Sequence, residues 1–297
     1  MNVVSVMKKL AVTGIVLALA VGVAWAGGQG GATLAGVPVF VVVVAAAFAI
    51  QWLAYIPAQL LHTERFFDAT GSLTYLVITV ALLTGLPDQG PRALALGVAV
   101  IVWAGRLGTF LFLRIRTSGS DSRFDAIKRS PLRFFNVWTL QGLWVTITAS
   151  AAWIAMTSTT QAPLTFSFFA GAALWAAGFV IEVTADAQKS RFRADPSQRK
   201  AFITTGLWSW SQHPNYFGEI VMWIGVALVA FPNLAGWQLV GLLSPVFVIV
   251  LLTRISGIPL LQRKAEATWG EDPAFQEYRR RTSLLIPMPP GVASKAG

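Results

Sequence analysis

Eight stretches of this chain are so continuously apolar that they leave it one kind of environment. They cover about residues 10 to 26, 38 to 61, 72 to 86, 92 to 113, 136 to 157, 165 to 185, 217 to 231 and 237 to 254. A helix needs roughly 20 mainly apolar residues to cross a bilayer; these runs approach that, the third and seventh being short. A helix at the surface of a water-soluble protein keeps one polar face, which runs of this kind do not offer. Of the 297 residues 55% are hydrophobic and 12% charged, and the mean hydropathy is +0.62. A membrane β-barrel fits poorly, because its strands are segments of about ten alternating residues. The sequence predicts an all-α, multi-pass transmembrane helical bundle of eight spans.

Lysine and arginine favour cytoplasmic loops. With the amino terminus inside, Arg92 becomes the single cation on the outer side and Arg106 falls within the fourth span. All the rest of the 23 Lys and Arg residues then lie in cytoplasmic segments or at cytoplasmic helix ends. Both termini are therefore expected in the cytoplasm, and the membrane is expected to be a bacterial inner one. The formal charge of +10 reads as this asymmetry, with attraction to anionic lipid or an anionic cofactor; no nucleic-acid partner is expected, since no recognition motif accompanies the charge. Cysteine is absent and His62 and His213 are the two histidines, which excludes disulfides and thiolate-bound metal and makes a metal site an unexpected feature.

The start of the chain has two readings. Lys8 and Lys9 precede an apolar run ending in Ala24-Trp25-Ala26, the pattern of a cleavable signal peptide and equally of a retained first helix. We adopt retention, because cleavage would leave seven spans and an external amino terminus. The outer loops are short (GGQGGATLAG, PDQGP, TSTTQAP, PNLAG), whereas 114 to 135, 186 to 213 and 255 to 297 are longer and cytoplasmic. Function should face that side. The first glycine-rich loop lacks the G-x-G-x-x-G spacing of a dinucleotide fingerprint and reads as a flexible connector. We expect one integral membrane domain, with amino-terminal spans over 1–90 and the polar motifs over 91–297. No internal repeat is evident, which weakens a transporter built from inverted halves.

Several polar residues exceed what an inert bundle needs. Glu182 and Asp186 are four apart at the cytoplasmic end of the sixth span and share a helix face. Lys189 and Arg193 continue with the same spacing, Arg191 lying between them. An acid pair followed by a basic pair suits the ribose and phosphates of a nucleotide; an ordinary basic flank is the other reading. In VWAGRLGTFLFLRIR, Arg106 sits inside a span, two to three turns before Arg114 and Arg116, and requires an anionic or hydrogen-bonding partner. Arg254 ends the eighth span, where snorkelling to the interface is an equal explanation. The segment GLWSWSQHPNYFGE adds Trp208 and Trp210, which suit interfacial anchoring, Pro214 as a helix start, and His213 and Asn215 as capping groups. Glu219, one turn beyond Asn215 on the same face, heads into the apolar run. Together these residues describe the edge of a pocket.

TTGLWSWSQHPNYFGEIVMWIGVAL, the preceding EVTADAQKSRFRADP and the closing EDPAFQEYRRRTSLLIP resemble the carboxy-terminal region of the steroid 5-alpha-reductase family, its bacterial members above all. The resemblance is strongest over about residues 100 to 290, and the H-P-N-Y-x-G-E block with upstream D-x-Q-x-x-x-F is specific in combination. It implies an NADPH-dependent reductase, with its cofactor on the cytoplasmic side, acting on an activated carbon–carbon double bond of a lipophilic steroid-like, isoprenoid or other lipid substrate drawn from the bilayer. By the same resemblance Lys189 and Arg193 hold phosphate, Asp186 and Trp208 line the nucleotide, and Asn215 meets the nicotinamide side. Arg106 and Arg254 complete a cationic cradle and Tyr278 closes over the cofactor, while Arg114, Glu182, His213 and Glu219 complete the expected cofactor-binding set. Where the steroid reductases use a tyrosine with a glutamate, the aligned position here, three before Arg106, is Trp103. Glu64, Asp68 and Tyr75, in HTERFFDATGSLTY, are the catalytic candidates. Two other classes stay open: an S-adenosylmethionine-dependent methyltransferase of isoprenylcysteine or phospholipid, which shares a similar R-H-P-x-Y stretch, and a non-enzymatic transporter or scaffold. The oligomeric state is left open.

Overall fold

The computed structural model describes residues 3–87, 89–118, 124–198 and 200–289. Among them the apolar runs become α1 (Val3–Gly28), α2 (Val39–Leu60), α3 (Phe67–Gly85), α4 (Pro91–Ser118), α5 (Pro131–Thr157), α6 (Phe166–Ala194) and α7 (Pro214–Ala230), followed by α8 (Leu243–Val250), α9 (Ile258–Trp269) and α10 (Pro273–Arg281). Among the described residues, seven helical stretches are long and apolar enough to cross a membrane, giving a multi-pass helical bundle. They are α1, α2, the whole of α3, α4 to Leu113, α6, α7 extended by a 3₁₀ turn to Asn233, and the run Gly236–Trp269, in which α8 and α9 flank a π-helical turn at Leu251–Ile255.

The predicted fifth span, 136 to 157, is helical as α5 but is not among these seven. Its composition explains the difference: Asn136, Thr139, Gln141, Thr146, Thr148 and Ser150 lower its hydropathy, and all six are buried. A helix surrounded by other helices has no lipid to face, so it tolerates polar side chains that bond back to the backbone or to a neighbour. The hydroxyls of Thr139 and Thr146 donate to the carbonyls of Phe135 and Gly142 at 2.9 and 2.8 Å, while Trp153 Nε1 donates to Thr79 Oγ1 on α3 at 2.9 Å. Helices α1, α2, α3 and α4 all pack on α5.

The glycine-rich connector after α1 is not the flexible link expected. Strands β1 (Thr33–Leu34) and β2 (Val37–Pro38) pair antiparallel, across a two-residue turn in which Ala35 and Gly36 take φ of 51° and 81°, the left-handed pair that a tight hairpin demands. The Ala32 N–H donates to the Thr157 carbonyl at 2.7 Å and anchors the hairpin to the end of α5.

The chain divides into two compact units, Met1–Phe168 with Ala227–Ser244, and Phe169–Val226 with Pro245–Gly297. In the first, α5 forms the centre. Arg92, the expected outer cation, is buried there, its guanidinium donating to the carbonyls of Ala162, Pro163 and Val229 and to Thr165 Oγ1. In the second, α6 and α7 cross at backbone contact through four glycines. A Cβ on Gly178 would lie 2.5 Å from the Gly218 carbonyl oxygen, and one on Gly225 would lie 2.6 Å from that of Gly171. The matched order, 171 with 225 and 178 with 218, makes the two helices antiparallel.

Candidate functional site

The glycine crossing fixes which residues of the second unit meet. Because Gly218 lies against the backbone of Glu182, the last turns of α6 run beside the first turn of α7. Glu182 and Asp186 are buried on that face, and Asn215 Nδ2 donates to Asp186 Oδ1 at 3.2 Å. Trp208 is buried beneath α6, its Nε1–H bonded to the Ala185 carbonyl at 3.0 Å. Its ring carries the Lys189 ammonium, 4.4 Å from the centroid, an attraction between cation and π-face. The turn that delivers Trp208 starts at Gly206 (φ 63°), where a Cβ would strike the Gln188 side chain; Gln188 Oε1 accepts the Leu207 N–H at 2.9 Å.

His213 precedes α7 and is 8% exposed. Its ring stacks on Tyr216 at 5.6 Å, and its Nδ1 is buried without a hydrogen-bond partner among the described residues. Burial first, and the nearby Lys189 charge second, push its pKa down to about 4. The imidazole is therefore neutral at physiological pH.

A tail from α10 onward holds this segment from the other side. Tyr278 Oη donates to the Trp208 carbonyl at 2.7 Å, and burial raises the Tyr278 pKa, so the phenol stays a donor. Ser211 Oγ donates to the Leu285 carbonyl at 2.8 Å, the Gln212 N–H to Ser283 at 2.8 Å, and the Met288 N–H to Trp210 at 3.0 Å. Gln212 Nε2 adds bonds to the carbonyls of Arg279 and Thr282. Gln212, Gln262, Gln276, Arg279, Arg280 and Leu284 line a shallow depression of about 400 Å³ beside it. Ser211 and Gln212 had no signal in the sequence, because main-chain pairing to a remote tail leaves no motif; Gln188 is the glutamine of D-x-Q. Thus Glu182, Asp186, Lys189, Trp208, His213, Asn215 and Tyr278 gather in one unit. Glu219 is half-buried a turn along α7, and Arg193 and Arg254 are exposed, Arg254 on the π-helical turn.

The family model for DUF1295, described as a protein of unknown function, matches residues 54–282 and so takes in this arrangement up to Thr282. The chain belongs to the DUF1295 family. That family is steroid 5-alpha-reductase-like. The chain is 31% identical over 121 residues to 3-oxo-5-alpha-steroid 4-dehydrogenase 1 of Rattus norvegicus, covering 40% of this chain and 41% of that protein. The same enzyme from Mus musculus is 28% identical over 120 residues (40% and 42%), and that from Bos taurus 29% over 121 (40% and 41%). The match thus spans about two fifths of the length of these curated relatives. No solved structure matches significantly.

The remaining expected residues of this DUF1295 chain lie in the first unit. Glu64 is buried and accepts from Lys128 Nζ at 2.9 Å, with Asp125 3.1 Å from the same ammonium. Hydrogen bonds to Glu64 and then Asp125 raise the Lys128 pKa. Asp68 is half-buried in the first turn of α3. Tyr75 is buried and packs edge-on against Trp103, ring centres 5.1 Å apart, so a phenol from α3 adjoins the tryptophan on α4. Arg106 is half-buried with its guanidinium 5.5 Å from the Phe110 ring. The Arg114 side chain lies outside the described residues.

Proposed function

We propose that this protein is a membrane reductase that uses NADPH to saturate an activated carbon–carbon double bond in a lipophilic substrate. The carrying observation is Lys189. Its half-buried ammonium rests on the Trp208 ring and, among the described residues, makes neither hydrogen bond nor ion pair. A half-buried cation in that state is suited to an anionic ligand, and the unpartnered His213 Nδ1 lies in the segment that packs on the same helix. The donor set fits a phosphorylated dinucleotide: Lys189 with Arg193 one turn on for phosphate, Asp186 and Asn215 for the polar edge, and Trp208 as an apolar floor. The sequence match to enzymes named as steroid 4-dehydrogenases supports the same reading.

When bound, NADPH supplies the hydride. Hydride addition at the β-carbon of an enone leaves negative charge on the oxygen, and a positioned donor must meet it. A neutral indole such as that of Trp103 cannot fill that role, since tryptophan donates a hydrogen bond without yielding a proton.

Binding to purified protein in detergent tests the reading. Lys189→Ala and Arg193→Ala should each weaken NADPH far more than NADH, by roughly tenfold or more, as bonds to charged groups are worth about 1.5–3 kcal/mol. Equal losses for both nucleotides would remove the 2′-phosphate role. Binding of S-adenosylmethionine in place of NADPH would install the methyltransferase instead.

A further inference from the structure

Two polar groups of the second unit, the half-buried Lys189 and the buried His213, have bonding capacity unused, and the charge of the first acts on the ring of the second. Lys189 has three N–H donors and the Trp208 π-face as its contact. His213 has a buried Nδ1 that no described residue reaches, and Lys189 is one of the two influences that hold its ring neutral. Residues that leave such groups unmatched in an interior are uncommon and call for an explanation.

The chemistry of the pair selects the ligand. A neutral imidazole has one N–H and one lone pair. The Asn215–Asp186 bond holds the start of α7 against the turn of α6 that precedes Lys189, and no described residue bonds Nδ1, which leaves that atom for a ligand. A ligand donor at that point would bring a further positive dipole against Lys189. An oxyanion accepts from both at once. The amino-terminal end of α7, a 17-residue helix, starts at the next residue and favours negative charge. Glu182 and Asp186 lie on the preceding turns of α6, which confines an anion to the Lys189 end. A phosphomonoester has three terminal oxygens, enough for the ammonium, the imidazole and the Arg193 guanidinium together.

We infer that Lys189 and His213 form a phosphomonoester subsite in which the neutral imidazole donates its Nδ1–H to one phosphoryl oxygen while the ammonium holds another. The inference rests on the nucleotide reading for the identity of that phosphate, the 2′-phosphate of NADPH, and a lipid phosphate shares its chemistry. Calorimetry on detergent-purified wild type, His213→Ala, His213→Asn and His213→Gln separates these cases, with adenosine 2′,5′-bisphosphate, adenosine 5′-monophosphate and short-chain phosphatidic acid as probes. Asn presents an amide near the Nδ1 position and Gln near Nε2. The expected result is that the bisphosphate binds wild type tighter than the monophosphate does, that His213→Ala loses roughly tenfold for the bisphosphate alone, and that Asn but not Gln recovers most of it. Unchanged bisphosphate binding in His213→Ala overturns the subsite even where wild type binds NADPH. Rescue by Gln rather than Asn overturns the Nδ1 assignment. Loss confined to phosphatidic acid supports the subsite and overturns the nucleotide as its source.

Discussion

His213 links the chemistry of one side chain to the stability of the fold. Its ordinary pKa of 6.5 falls to about 4 in the folded chain, so between those values the unfolded chain binds a proton that the folded chain refuses. The sign follows from linkage: stability is complete above about pH 6.5 and declines as the pH drops toward 4. With one pKa unit equivalent to about 1.4 kcal/mol, the loss across that window is of order a few kcal/mol. Thermal melts of wild type and His213→Gln should therefore diverge as the pH falls through that range, wild type losing more. Parallel curves would mean that the imidazole is not held neutral. The convergence of His213 with Lys189 was not legible beforehand, because the two are separated by a turn, a 3₁₀ segment and a tryptophan whose placement comes from its bond to Ala185. The sequence offered each residue singly; the pair is a product of packing.

Helices α6 and α7 are set by what their glycines lack. A Cβ at Gly178 would meet the Gly218 oxygen at 2.5 Å and the Met222 nitrogen at 2.6 Å, both backbone atoms that cannot swing aside. Gly178→Ala must part the helices, an overpacking that costs typically 1–3 kcal/mol. It also separates Asp186 from Asn215. The expected outcome is a lower melting temperature together with weaker NADPH binding, whereas Gly14→Ala, with nothing within 4 Å, leaves both unchanged. Weakened binding in neither variant would detach the nucleotide site from this crossing. The apolar runs announced the helices plainly, and the acid and base spacings on α6 announced its polar face. Small residues every seventh position were visible as well, yet spacing on one helix does not name its partner. For α5 the sequence counted a span where the average hydropathy is lower than in its neighbours: residues such as Thr146 and Gln141 make it less apolar because those helices enclose it. A hairpin of two-residue strands is too short for alternation to show.

At the scale of the whole chain, the family and the multi-pass architecture were readable from HPNYFGE and from the apolar runs, while the role of the carboxy-terminal residues as a support was not. Residues 278–288 run beside 208–212 through Tyr278, Ser283, Leu285 and Met288. Removing single bonds should act on binding through this support. Tyr278→Phe keeps the ring packed on Phe202 and deletes the hydrogen bond to Trp208, so NADPH affinity should fall severalfold, for a bond worth about 1 kcal/mol; adding Ser211→Ala should deepen the loss. Affinity unchanged in the double variant would show that the tail is dispensable to the site. The order of these segments along the polypeptide also sets a schedule for biogenesis. Among the described residues, every stretch long enough to cross the bilayer is synthesised before Tyr278 leaves the ribosome, so a nascent chain can have all of them inserted by the translocon and still lack the brace behind Trp208. Competence to bind nucleotide should appear only once residues 278–288 have been made, and a chain stalled before them would sit in the membrane as an inert passenger.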